Sequence, residues 1–196
     1  MRFDLTIAGT RPLLMHNARL ADPLDPHTQA VAEITGKRKK TIDDHREIAH
    51  REWRGGLYYT EQIGPYIPGE NIERMLVDSA KITRDGMNVK RGVVIHSDEC
   101  PLQYDGPRDV RKLRDDANYR FMAMIRTPSG RVSRCRPRFA EWSIDVFGYL
   151  DTTILSPEDF TAIVHRGGRL IGLGDWRPRF GRFTATVRLT PEDGEA

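Results

Sequence analysis

Cysteine is almost missing from this chain of 196 residues, which has only Cys100 and Cys135. Two thiols so far apart exclude a disulfide scaffold and a four-ligand zinc centre, both of which need paired spacings, and they suit a reducing compartment. Long apolar runs are missing too. No stretch approaches the roughly 20 apolar residues that a membrane helix requires. Met1-Arg2-Phe3-Asp4 leads straight into strand-like alternation rather than a signal peptide, so a cytoplasmic protein with no membrane partner is expected. A strong surplus of one charge is also lacking. Lys plus Arg number 31 against 28 for Asp plus Glu, a net charge of +3, so the distribution of the arginines carries more information than their total. No internal repeat or low-complexity tract occurs. A hydrophobic share of 38% with a mean hydropathy of -0.57 fits a single globular domain, 1-196, with long polar excursions.

Most catalytic constellations are lacking as well. There is no Ser-His-Asp arrangement and no carboxylate cluster with the spacing of phosphoryl transfer. His45 and His50 are five apart, about 140 degrees around a helix, and so do not make the metal pair that a spacing of four would give. Gly172-Leu173-Gly174 lacks the third glycine and the following helix of a dinucleotide motif. No metal, cofactor or catalytic residue is expected, and the chain reads as a non-enzyme. One histidine stands out, because His16 lies just past the first strand, where a base could act on a ribose 2'-hydroxyl.

What is present is a succession of short periodic segments. Phe3, Leu5 and Ile7 alternate with polar neighbours, predicting a half-buried strand that ends at Gly9. Residues 10 to 40, with Pro12, Pro23, Pro26 and Gly36, read as a long surface excursion. A polar helix with a narrow apolar stripe is expected from Thr41 to Trp53, capped by Thr41 or Asp43. After the rigid Pro65-Tyr66-Ile67-Pro68-Gly69, the spacing of Ile72, Met75, Leu76, Ser79 and Ala80 predicts a second helix with Asn71 as its cap. Strands are expected at Gly92 to His96, Tyr119 to Thr127 and Trp142 to Leu150, and from about Arg182 to Leu189. Pro128-Ser129-Gly130 predicts a hairpin turn into Arg131-Arg136. Ser156-Pro157 starts a helix that Gly167-Gly168 should stop. Without the excursions the order is strand, helix, strand, strand, helix, strand, the pattern of an α+β, ferredoxin-like (RRM-like) βαββαβ core with insertions at approximately 10-66 and 97-138.

Three segments carry the expected chemistry. Arg120, Arg126, Arg131, Arg134, Arg136 and Arg138 fall between Tyr119 and Phe139 with no acidic residue among them. On a strand, Arg134, Arg136 and Arg138 share a face and could follow successive phosphates, unless they are solvated or paired with Asp109, Asp115 and Asp116. Arg166, Arg169, Arg177, Arg179 and Arg182 are interleaved with glycines and with Trp176 and Phe180. Here the glycines would let backbone approach a ligand and the rings would offer stacking faces, although Gly167 and Gly168 could only stop a helix and Trp176 could only anchor the core. Lys37-Arg38-Lys39-Lys40 is a third basic site, a solvated loop or a phosphate clamp.

Pro65-Tyr66-Ile67-Pro68-Gly69-Glu70-Asn71-Ile72 running into a helix, the glycine-rich stretch from Gly167 to Phe183, and Gly9-Thr10-Arg11-Pro12-Leu13-Leu14 after the first strand together resemble the RAMP superfamily of CRISPR-associated proteins. The chain departs from that pattern in having Glu70-Asn71 where small hydroxyl residues are usual. Arg136-Pro137-Arg138-Phe139-Ala140-Glu141-Trp142 and Gly174-Asp175-Trp176-Arg177-Pro178 also look like segments of uncharacterised phage proteins. The resemblance implies an RRM-like core and a role like that of the backbone subunit of CRISPR effectors, whose copies line up along a strand. The expectation is a phage-encoded, non-catalytic protein of the host cytoplasm that binds single-stranded nucleic acid, DNA before RNA, and associates head to tail into a filament. The competing readings are an endoribonuclease of the same superfamily with His16 as base, and a phage structural or assembly protein.

Overall fold

Alternation in the first segment becomes a strand whose odd residues are buried: β1 (Arg2–Gly9) sends Phe3, Leu5 and Ile7 inward and leaves Thr6 in solvent. The computed structural model describes residues 1-127 and 130-191. Its elements continue with β2 (Leu13–Leu14), α1 (Pro26–Thr35), α2 (Ile42–Gly56), β3 (Tyr59–Thr60), β4 (Gly64–Pro68), α3 (Gly69–Ala80), α4 (Gly86–Gly92), β5 (Val93–Ile95) and β6 (Glu99–Pro101). They end with α5 (Val110–Asp115), β7 (Arg120–Thr127), β8 (Gly130–Phe139), β9 (Ser143–Leu150), α6 (Pro157–Arg166) and β10 (Phe183–Thr190).

The molecule is a mixed α and β structure whose strand pairs are antiparallel. Its central sheet has the order β10-β1-β9-β5, with α3 on the path from β1 to β5 and α6 between β9 and β10. Ile72, Met75 and Leu76 of α3, together with Phe160, Ile163 and Val164 of α6, meet the buried side of β1 and β9 in one apolar cluster. The rings of Phe3 and Phe160 lie 4.8 Å apart at its centre. Gly148 on β9 is needed there, because a Cβ would run into the Phe3 ring and the Val94 carbonyl. Two smaller sheets, β2-β8-β7 and β3-β4-β6, flank the central one.

Several boundaries differ from the sequence expectation for identifiable reasons. The 10-40 stretch holds a helix, α1, with Asp25 as cap accepting from the His27 N–H and Pro26 in the first turn. α2 begins at a capping box in which Thr41 and Asp44 bond reciprocally, and it runs three residues past Trp53. α3 starts at Gly69 with Pro68 before it and no side-chain cap, so Asn71 lies inside the helix. α6 ends at Arg166 with Gly167 as its C-cap, where the sequence places the stop, but helical winding goes on beyond it. The chain widens into a π-helical turn over Gly167–Ile171 and breaks at Gly172, where φ is 79°. The expected turn at Pro128 and Ser129 lies outside the described residues, while the flanking strands pair from Arg120↔Pro137 to Thr127↔Gly130.

Candidate nucleic-acid interface

The 167-183 loop is fixed before any ligand is considered. Asp175 N–H donates to the Leu14 carbonyl at 2.8 Å, Gly181 N–H to Pro12 at 2.9 Å, and Thr10 N–H to Arg182 at 2.8 Å. The loop is therefore stitched along the 10-14 segment that follows β1. Its glycines serve this stitching. Gly174 and Gly181 have φ of 76° and 71°, and a Cβ at either would collide with the chain's own backbone, at Leu14 and Leu173. Packing of the chain on itself is thus reason enough for these two glycines.

The loop and the β7–β8 hairpin do meet. Arg136 Nε donates to Asp175 at 2.9 Å, and Phe121 of β7 packs edge-on against Phe180 and Trp176, with ring centroids 5.1 and 6.1 Å apart. Trp176 is 45% exposed, so it is a surface ring and not a core anchor. It holds a left-handed backbone, φ 56°, unusual for a bulky residue, and its N–H donates to Asp175 at 2.9 Å.

The arginine ladder is corrected in one respect. Arg134, Arg136 and Arg138 share a face, as a period of two requires, but the first two are committed to carboxylates. Glu52 of α2, itself buried, accepts from Arg134 and from the Cys135 N–H, and the Arg136 side chain is 7% exposed against Asp175. Arg138 donates to the Asn118 carbonyl at 3.5 Å. Neither acid was among the expected partners: Asp109 and Asp116 are occupied as helix caps, and Asp115 pairs with Arg114. These half-buried guanidinium–carboxylate pairs hold the hairpin root to α2 and to the loop, and a phosphate at either would have to compete with the carboxylate already there.

Arginines without a carboxylate lie elsewhere. Arg126 stands directly opposite Arg131 near the hairpin tip, and neither has a described carboxylate within 4.0 Å. Two guanidinium groups facing each other across a ladder repel, and an anion would relieve this. Met122 and Met124, both more than half exposed, share that face with Arg120. A second group surrounds a cavity of about 660 Å³ between α6, the π-turn and β10. His165, Arg166, Arg169, Arg182 and the hydroxyls of Thr10 and Thr184 line it, and no acidic residue does. Arg166 donates to Thr83 and Arg182 to the Pro178 carbonyl, which leaves each with further N–H donors. Gly168 makes the wall possible, since a Cβ there would strike the Phe183 carbonyl.

The remaining expected residues are less concentrated. Arg177 lies 3.8 Å from Asp78, which also holds Arg74 and Lys81, whereas Arg179 is exposed. In the basic tetrad, which is exposed from Lys37 to Lys39, Lys37 pairs with Asp44 at 2.6 Å and Lys40 donates to the Lys37 carbonyl.

His16 lines a different cleft, of about 360 Å³, with Leu20, Val31, Glu52, Arg134 and Arg136. Burial, and then the adjacent Arg136, hold its pKa below the usual histidine value. No group of three or more His, Cys, Asp and Glu among the described residues is placed to hold a metal, and no described helix is long and apolar enough to cross a membrane. No protein-family model matches the sequence, and a search of curated proteins finds no similar one.

Proposed function

We propose that this protein binds single-stranded nucleic acid without cleaving it, and that copies associate head to tail along the strand. The observation that carries the reading is the cavity walled by His165, Arg166, Arg169 and Arg182 with no carboxylate in its lining, while the loop that supplies Arg182 also carries Phe180 and the exposed Trp176. Phosphates would sit among the guanidinium groups while bases stack on the indole, a combination that tolerates any sequence. Arg126, Arg131 and Arg179 are further exposed cations that a strand could reach, and Arg38 and Lys39 offer a distant clamp. The strand order β10-β1-β9-β5, with α3 and α6 packed on one face, supports reading the α+β core as ferredoxin-like, with the hairpin and the 10-66 region as insertions. A backbone-subunit role like that of RAMP proteins, encoded by a phage, follows from the resemblance at Gly9-Leu14, Pro65-Ile72 and Gly167-Phe183.

A salt titration of oligonucleotide binding tests the reading. Affinity for single-stranded DNA should fall steeply as salt rises, and a flat profile would contradict it. Comparing DNA with RNA ranks the two strands, and regular oligomers after nuclease treatment would favour a purely structural protein.

A second reading has one observation of its own. His16 is held towards its neutral, proton-accepting form beside Arg136, as an RNA-cleaving base would need to be. Cleavage of labelled RNA that disappears in His16→Ala would favour it.

A further inference from the structure

A separate cluster of cations lies on the side of α2 that faces α1 and α5. His27 of α1, His50, Arg51 and Arg54 of α2, and Arg111 and Arg114 of α5 surround a cleft of about 300 Å³. Glu47 is the single acid in its wall, and Arg51 Nε already holds it at 2.7 Å, while Arg114 is paired with Asp115 at 2.8 Å. Arg54 is the unusual member. Its guanidinium is half-buried and lies 5.2 Å from the centre of the Tyr59 ring, yet no described carboxylate is within 4.0 Å and no described group accepts from its N–H donors. Burial disfavours its charge first and the cation Arg19, which also acts on His27, second; Tyr59 and the more distant Glu61 carboxylate offset this only in part. A desolvated guanidinium set beside a second one is costly unless an anion compensates it. The contact with Tyr59 holds the charge in place, and its N–H groups remain open to such an anion.

We propose that this cleft is a phosphate site, with Arg54 as its floor and Arg111, His27 and His50 as its rim. A planar guanidinium with several open donors suits a tetrahedral oxyanion. The site shares no residue with the cavity at α6 and β10, so it stands independently of strand binding there. The phosphate would come either from the backbone of a bound strand or from a free phosphate group.

Two measurements separate these sources. In thermal unfolding against inorganic phosphate, with chloride at matched ionic strength as reference, the Tm of the wild type should rise by roughly 3-5 °C per tenfold increase above the dissociation constant. Arg54→Gln should lose the rise, and so should Arg111→Gln, an exposed substitution that leaves the helix packing alone. Arg46→Gln, which removes an exposed cation of the same helix that lines neither cavity, should retain it. If the source is a strand, Arg54→Gln should also lower the salt slope of oligonucleotide binding by about one, with Arg169 and Arg182 intact. A phosphate response lost in Arg54→Gln in a protein that binds no oligonucleotide would keep this site and remove the proposed function. Equal phosphate responses in wild type and both variants, together with an unchanged salt slope, would overturn the site.

Discussion

Arg136 and Asp175, 39 residues apart, meet at 2.9 Å with the arginine side chain almost wholly out of solvent, and so tie the β8 strand to the glycine-rich loop. Removing the acid strands a buried cation. Asp175→Asn should therefore destabilise the protein by about 3 kcal/mol in urea denaturation, and Arg136→Met combined with Asp175→Asn should recover much of that. A loss in the single variant no larger than that of an ordinary surface substitution would show the pair to be dispensable.

The hairpin arginines and the loop arginines should behave differently in binding. Arg169→Gln and Arg182→Gln are each expected to weaken oligonucleotide binding and reduce its salt slope by about one. Arg134→Gln, whose partner is Glu52, should leave the slope unchanged while lowering stability. Equal effects on the slope from all three would put Arg134 among the phosphate ligands after all.

Trp176 offers a test that separates strain from stacking. Both Trp176→Ala and Trp176→Gly should weaken binding by about 1-3 kcal/mol through loss of a stacked base. The glycine variant should be the more stable of the two by about 1 kcal/mol, because only glycine holds a φ of 56° without penalty. Calorimetric unfolding of the two variants checks the order.

Acid should loosen the fold around the first excursion. The pKa values of His16 and His27 are held below their ordinary value by burial first and by arginines second. The unfolded chain therefore binds more protons than the native one once the pH drops to about 6.5, and stability falls as pH goes from about 7 to about 5. In His16→Asn/His27→Asn that fall should be shallower, which urea midpoints at the two pH values measure directly. A steeper fall would reverse the sign assigned to both imidazoles.

Local signals in the sequence were enough for much of the framework. Alternation marked β1 and β9, and Ser156-Pro157 marked α6, because each depends on neighbours within a few residues. α1 was hidden by its weakly amphipathic composition, although Asp25-Pro26 was a readable start. The fate of the hairpin arginines was not readable. Glu52 is 82 residues from Arg134 and lies on the helix stripe's flank, so nothing near either residue announces the pair. The packing role of Gly174 is hidden for a similar reason, since the backbone it approaches, Leu14, belongs to a distant part of the chain. Nothing in the sequence sets Arg54 apart from Arg46 and Arg51 of the same polar helix; its difference lies in Tyr59 and Arg19 beside it.

The backbone bonds from Pro12 and Leu14 to the loop have a thermodynamic corollary. If the loop takes up a strand as proposed, its pinned backbone has little conformational freedom left to surrender, so the entropy lost on association falls on the incoming strand. Its heat-capacity signature should accordingly be small, that of rigid docking and not of folding coupled to binding.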